Sequence, residues 1–337
     1  MKMGAEEAGP FVRRLFVLIA AFSALLPANW KDPSPHNTSF ISVDNDVRLE
    51  VLDWGGSGRI LVLLAGMGNT AHVYDDFAPK LTGTYHVIGI TRRGYGASTA
   101  AASGYDANRL GDDVLAVLDV LHLNRPVLVG HSIAGEELSS VGSRHPERVA
   151  GLIYLEAAYQ YAFENGKGTT MAELRELNKI LPPPIPRPGS PATYSAAVDW
   201  FAQERGFRFP EAEIRQTILP DSDGKPAGNR TPGSVGKMVQ EGAAKFTRID
   251  VPVPVLSAMP QITPHYLLNM PGTEVRAAAE TFDARFNALK ERQLKAFKEG
   301  IPRSRVARIA NADHYVYITN EAEVLREMRA FLLTLKP

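Results

Sequence analysis

The chain has no cysteine among its 337 residues, which excludes disulfides, thiolate metal sites and a cysteine nucleophile. It also lacks a block of one charge. Its 37 lysines and arginines balance 37 aspartates and glutamates, so neither a nucleic-acid footprint nor electrostatic capture of a polyanion is indicated. No glycine-rich phosphate loop and no ligand-spaced His/Asp cluster runs along the sequence. The expectation is therefore a protein with no metal, no cofactor and no nucleic-acid partner. Internal repeats and long low-complexity tracts are absent as well. What is present is 45% hydrophobic content, enough for one large core with an inserted lobe.

The stretch from Arg125 to Leu138 organises the rest. An apolar run, Val127–Val129, breaks at Gly130-His131-Ser132-Ile133-Ala134-Gly135, and a helix-compatible segment follows. Small residues two before and two after a serine suit a turn so tight that a larger side chain would clash. Such a turn lifts the Ser132 hydroxyl clear of the backbone at the C-terminal edge of a sheet. It also aims the Ile133 amide and the start of the next helix at the space above that oxygen. The second small residue is Ala134, so the strict G-x-S-x-G pattern is missed by one methyl group.

Residues 1–30 read as a targeting segment. Arg13-Arg14 precede Leu15–Leu26, a twelve-residue run whose only polar member is Ser23, and Pro27-Ala28-Asn29 follows. That run is short for a membrane span and suits a signal peptide, with cleavage near Ala28 and an exported, periplasmic or secreted product. An uncleaved anchor is the alternative, and it would be the only membrane contact. Strands are expected at Ser39–Val43, Val47–Trp54, Ile60–Leu64, Tyr85–Ile90, Val149–Leu155, Val251–Ser257 and Arg305–Ala310. Helices are expected at Val73–Leu81, Leu110–Leu121, Glu274–Glu299 and Glu321–Leu335. This alternation is the signature of an open α/β sheet. Residues 162–248 break it with short helical candidates, Met171–Leu181, Thr193–Arg205, Pro210–Leu219 and Ser234–Phe246. Pro- and Gly-rich punctuation separates them, with no good strand among them.

The elbow Gly130-His131-Ser132-Ile133-Ala134, the turn Arg93-Gly94-Tyr95-Gly96-Ala97-Ser98 and a histidine after the last strand together resemble the α/β-hydrolase superfamily, over roughly residues 38–337. The resemblance implies an α/β fold with a mostly parallel, eight-stranded sheet flanked by helices. Residues 38–161 and 249–337 would form the core, and 162–248 a helical lid inserted after the sixth strand. The active site would lie at the strand C-termini beneath that lid.

A serine hydroxyl needs a positioned base. His314, on the loop after the final strand, is the candidate, with His265 in Thr263-Pro264-His265 as rival base or pocket residue. His131 should point away from Ser132. The acid is less evident. The loop after the seventh strand, Met259–Pro264, carries no carboxylate, which departs from the commoner pattern. Some subfamilies place the acid after the sixth strand, which here ends Ile153-Tyr154-Leu155-Glu156. A carboxylate closing an apolar run needs a buried partner, so Glu156 is the candidate, with Asp250, Asp283 and Asp313 as alternatives. The oxyanion donors would be the amides of Ile133 and Met67. Gly66 and Asn69 of that loop are candidate pocket residues, and the loop has Ala65-Gly66 where relatives often have His-Gly. The reading is a serine hydrolase of esterase type acting on a small-molecule carboxylic ester. A related amide, lactone or C–C hydrolase, or a binding protein with a vestigial triad, stands as the alternative.

Overall fold

The computed structural model describes residues 30–181, 189–263, 265–268 and 272–336. The targeting reading of residues 1–29 and the Pro-rich stretch 182–188 lie outside the described residues. Two units are distinguished, 1–33 and 34–337. Of the first, the described residues 30–33 carry no helix or strand.

In chain order the second unit builds β1 (Asn37–Asp44), β2 (Val47–Gly55), β3 (Ile60–Leu64), β4 (His86–Ile90), α1 (Ala107–Val120), β5 (Val127–His131), α2 (Gly135–Arg144) and β6 (Gly151–Leu155). Between β6 and the next long strand come α3 (Met171–Asn178), α4 (Tyr194–Arg205), α5 (Glu211–Thr217), the short strands β7 (Ile218–Pro220) and β8 (Pro226–Asn229), and α6 (Gly233–Glu241). The chain then closes with β9 (Val253–Ala258), α7 (His265–Leu268), α8 (Thr273–Gly300), β10 (Ser304–Ile309), α9 (Val316–Thr319) and α10 (Glu321–Leu332). The large sheet has the order β1-β2-β4-β3-β5-β6-β9-β10. Pairs β1/β2 and β2/β4 are antiparallel, and the rest are parallel. This is the mostly parallel, eight-stranded α/β sheet that the resemblance implies.

Strands β3, β5 and β6 are covered on both faces because side chains alternate across a sheet. Leu61, Leu63, Val127, Val129, Ile153 and Leu155 face one core, with Val324 and Met328 of α10. Val62, Leu64, Leu128, Leu152 and Tyr154 face the other, with Val114 and Leu118 of α1 and Phe297 of α8. That double burial is why these strands read as unbroken apolar runs. Register then decides the site. His131 pairs with Leu155, Leu155 with Leu256, and Ala258 with Ile309. The ends of β5, β6, β9 and β10 thus lie along one edge.

Two local expectations fail for physical reasons. Val73–Leu81 is not one helix but two short 3-10 turns, Ala71–Tyr74 and Ala78–Lys80. Pro79 lacks the N–H that a continuous helix needs. In the segment expected to have no strand, Ile218–Pro220 pairs antiparallel with Pro226–Asn229 around an Asp221-Ser222-Asp223-Gly224 turn. Leu219 therefore leaves the helix expected at Pro210–Leu219, which stops at Thr217. The aromatic side chains of this segment do not form a separate core. Tyr194 and Phe209, with Phe201 and Phe207 against them, join the core of the main sheet.

Candidate active site

Three loops at the sheet edge each begin with a non-glycine residue in the left-handed region: Ser132 after β5 (φ 52°), Glu156 after β6 (φ 48°) and Asn311 after β10 (φ 53°). Non-glycine residues rarely hold that conformation, and strain of this kind gathers where a side chain must be aimed. At Ser132 it turns the hydroxyl out of the strand at the head of a 3-10 turn, Ser132–Ala134, that runs into α2.

The three loops deliver their side chains to one place. His314 Nε2 lies 2.9 Å from Ser132 Oγ. On the other side of the ring, His314 Nδ1 is 4.0 Å from Glu156 Oε1. Among the described residues, no other carboxylate comes that near. Asp250 instead pairs with Arg248 at the surface, 2.8 Å away. Asp283 accepts from the Thr263 hydroxyl, and Asp313 accepts from the Tyr315 amide at 3.0 Å. His265 packs on Gly206 at the end of α4.

Glu156 is 1% exposed and richly satisfied. The Tyr159 hydroxyl donates to its Oε1 at 2.5 Å, and Lys290 Nζ forms an ion pair with the same oxygen. Ser257 Oγ and the Ala258 amide donate to Oε2 at 2.9 and 2.6 Å. His131 points away from the serine. Its Nε2 donates to the His314 carbonyl at 3.0 Å, and its ring packs on those of His314, Tyr315 and Tyr317. Full burial drives the His131 imidazole down to about 3. It is therefore neutral, with the proton on Nε2 because a carbonyl can only accept. Burial first, then the positive charges of Lys290 and Arg205, hold His314 below the usual histidine value. A neutral imidazole is the form that can take the serine proton.

Gly66 lies directly over the elbow: a Cβ there would stand 2.7 Å from His131 Nδ1 and 3.2 Å from Ser132 Cβ. Met67 follows it, and no hydrogen bond of the Met67 amide is found among the described residues. Ile133 is the second residue of the 3-10 turn, where amides have no partner within the helix. Both expected oxyanion donors thus border Ser132. The loop is braced from below by Arg92, which donates to the carbonyl of Ala65 at 2.9 Å while gripping Glu137 through Nε at 2.7 Å. Asn69, expected as a pocket residue, is turned away. Its Nδ2 donates to Glu213 of α5 at 2.8 Å, and its Oδ1 accepts from Tyr315 at 2.9 Å.

Two residues, Lys290 and Arg92, were not singled out from sequence, while Tyr159 and Tyr161 were read there only among aromatics able to line an apolar pocket. The Tyr161 hydroxyl faces the Ser132 side chain. Beside it opens a cavity of about 470 Å³ lined by Ile133, Gln160, Tyr161, Met171, Arg175 and Gln240 among others. Gln160 Oε1 is buried and without a partner among the described residues. A separate correction concerns metal ligands. No cluster is spaced along the sequence, yet folding gathers His36, His72 and Asp75, with His72 Nδ1 3.0 Å and His36 Nε2 3.5 Å from the carboxylate. These residues take no part in the arrangement around Ser132.

Residues 61–327 match the model of the "Alpha/beta hydrolase family". The chain is 25% identical over 101 residues to a 2-(acetamidomethylene)succinate hydrolase of Mesorhizobium japonicum, covering 30% of this chain and 36% of that protein. It is 35% identical over 115 residues to epoxide hydrolase A of Mycobacterium tuberculosis, covering 33% and 36%. The chain thus spans little more than a third of the length of these relatives. The crystal structure of E-2-(acetamidomethylene)succinate hydrolase superposes over 88% of this chain and 99% of that one, with a TM-score of 0.61 and 16% identity. At that identity the likeness is one of fold.

Proposed function

Because the chain belongs to the alpha/beta hydrolase family, we propose that it is a serine hydrolase that cleaves a carboxylic ester through an acyl-enzyme. The observation that carries this reading is the 2.9 Å approach of His314 Nε2 to Ser132 Oγ, with Glu156 behind the ring. Ser132 Oγ attacks the carbonyl carbon while its proton passes to His314 Nε2. The oxyanion that forms is met by the amides of Ile133 and Met67. Collapse expels the alcohol, which takes the proton from His314. Water then repeats the sequence and releases the acid. Glu156 keeps the imidazole oriented and supports its charge while it is protonated.

Hydrolysis of a C–N acyl bond is the second reading, favoured by Gln160. Its side chain lines the cavity beside Ser132, and its carbonyl oxygen, enclosed and without a partner among the described residues, would turn outward to accept from a substrate N–H. The relative named for an acetamidomethylene compound is consistent with it. Residues 162–248 would act as the cover of this cavity, and the segment before residue 30 would direct export.

The test is incubation of the full chain with a fluorophosphonate, with the adduct mapped by mass spectrometry. The expected result is an adduct on Ser132 that disappears in His314→Ala. A folded chain with no adduct on Ser132 would sink the reading. Paired panels of esters and amides then choose between the two bonds.

A further inference from the structure

We propose that Lys290 is a positioning residue of this site, one that fixes Glu156 behind His314 and neutralises its charge there. The inference rests on Ser132, His314 and Glu156 acting together as described above.

Helix α8 spans Thr273–Gly300 and carries most of its charges toward water, yet Lys290 is only 5% exposed. A buried ammonium has to be paired and hydrogen-bonded. This one has three donors and meets three acceptors: Glu156 Oε1, the Ala258 carbonyl at 2.6 Å and Gln261 Oε1 at 3.0 Å. Nothing is left over, so the ammonium is fixed at once from the loop after β6, from the last residue of β9 and from the loop that follows it. Its partner is fixed too, since Tyr159, Ser257 and the Ala258 amide hold both carboxylate oxygens of Glu156.

From the position of His314 the two charges largely cancel. The other groups around the ring are Arg205 of α4, Asp313 and Tyr315 of its own loop, Tyr159 after β6 and His131 of β5. Lys290 and Arg205 both disfavour the imidazolium, in the same direction as burial. His314 therefore stays neutral, and able to act as a base, well into acid. Without Lys290, His314 faces the uncancelled charge of Glu156 and protonates more readily. This moves the acid limb of reactivity to higher pH. Loss of a packing contact alone would lower the rate at every pH and leave the limb in place.

The experiment measures the fluorophosphonate rate at Ser132 against pH in the full chain, for the wild type, Lys290→Met and Lys290→Arg. The acid limb is expected to rise by about one pH unit or more in Lys290→Met, a change in charge coupling of that size being ordinary for contacting groups. It should return toward the wild-type position in Lys290→Arg. If methionine unfolds the chain, Lys290→Gln, which keeps a polar donor there, is read in the same way. An acid limb unmoved by loss of the charge overturns the role of Lys290 while leaving the serine chemistry intact. A folded wild type that never labels overturns the serine reading, and this inference with it.

Discussion

His131 donates from Nε2 to the backbone carbonyl of His314, 3.0 Å away, so the residue before Ser132 holds the loop that carries His314. The link joins β5 to the chain after β10, two elements that do not pair in the sheet. It helps set the distance between Ser132 Oγ and His314 Nε2 through the backbone and not through the two side chains themselves.

His131→Phe keeps an aromatic ring under His314 and removes the donor. The lost hydrogen bond should cost about 1 kcal/mol of stability. The larger effect should fall on rate, roughly ten- to hundred-fold, because small misplacements of a base are expensive. Fluorophosphonate kinetics beside a thermal melt separate the two. A labelling rate equal to wild type would show that the link is decorative.

Gly66 has no room for a side chain, since a Cβ there meets His131 Nδ1 at 2.7 Å and Ser132 Cβ at 3.2 Å. Both neighbours are confined, His131 by the rings of His314, Tyr315 and Tyr317. Gly66→Ala should therefore displace the elbow or the Met67 amide and reduce reactivity by about 10²-fold, with the sheet intact by circular dichroism. Retention of full reactivity would mean that the loop after β3 can retreat without harm, and would remove Met67 as an oxyanion donor.

Arg92 has two roles that a pair of variants can separate. It is buried with Glu137, so Arg92→Met strands a buried carboxylate and should cost roughly 3–5 kcal/mol. Arg92→Met/Glu137→Met should recover most of that stability. It should not recover labelling rate, because the carbonyl of Ala65 has still lost its donor. Denaturant midpoints and Ser132 labelling rates decide the matter, and recovery of both together would refute the bracing role.

Glu213 of α5 binds the same loop, receiving Asn69 Nδ2 at 2.8 Å and the Thr70 amide at 3.2 Å. Complete burial pushes its carboxyl up to about 7. A raised carboxyl favours the protonated folded state. Its contribution is therefore full below the unfolded value near 4.5 and is lost as pH rises to 7 and beyond. Glu136 adds the same sign, since burial raises it to about 8 and neither of its oxygens has a partner among the described residues. Glu213→Gln should flatten the decline in stability between pH 5 and 8, where each pH unit is worth at most about 1.4 kcal/mol per group. Melts at those two pH values give the slope directly; an unchanged slope would assign it to other groups.

Much of this was legible before folding was considered. Continuous apolar runs located β3, β4, β5 and β6, because a strand covered on both faces must be apolar at each position. The elbow around Ser132, the carboxylate ending β6 and the histidine after β10 stand out because chemistry-bearing residues follow such runs at the sheet edge. The residues that the chain could not advertise are those whose meaning depends on a distant partner. Lys290 lies among glutamates, arginines and lysines on a long helix and reads as solvated surface; only the packing of α8 against β6 and β9 takes it out of water and onto Glu156. Arg92 and Glu213 brace the loop after β3 from opposite elements, which no local pattern encodes. Asn69 reads as a pocket residue in the sequence and becomes a structural tie once α5 comes down on it. Local periodicity and turn chemistry determined which residues stand at the strand ends. Burial and the pairing of charges across the assembled fold decided how those residues are held.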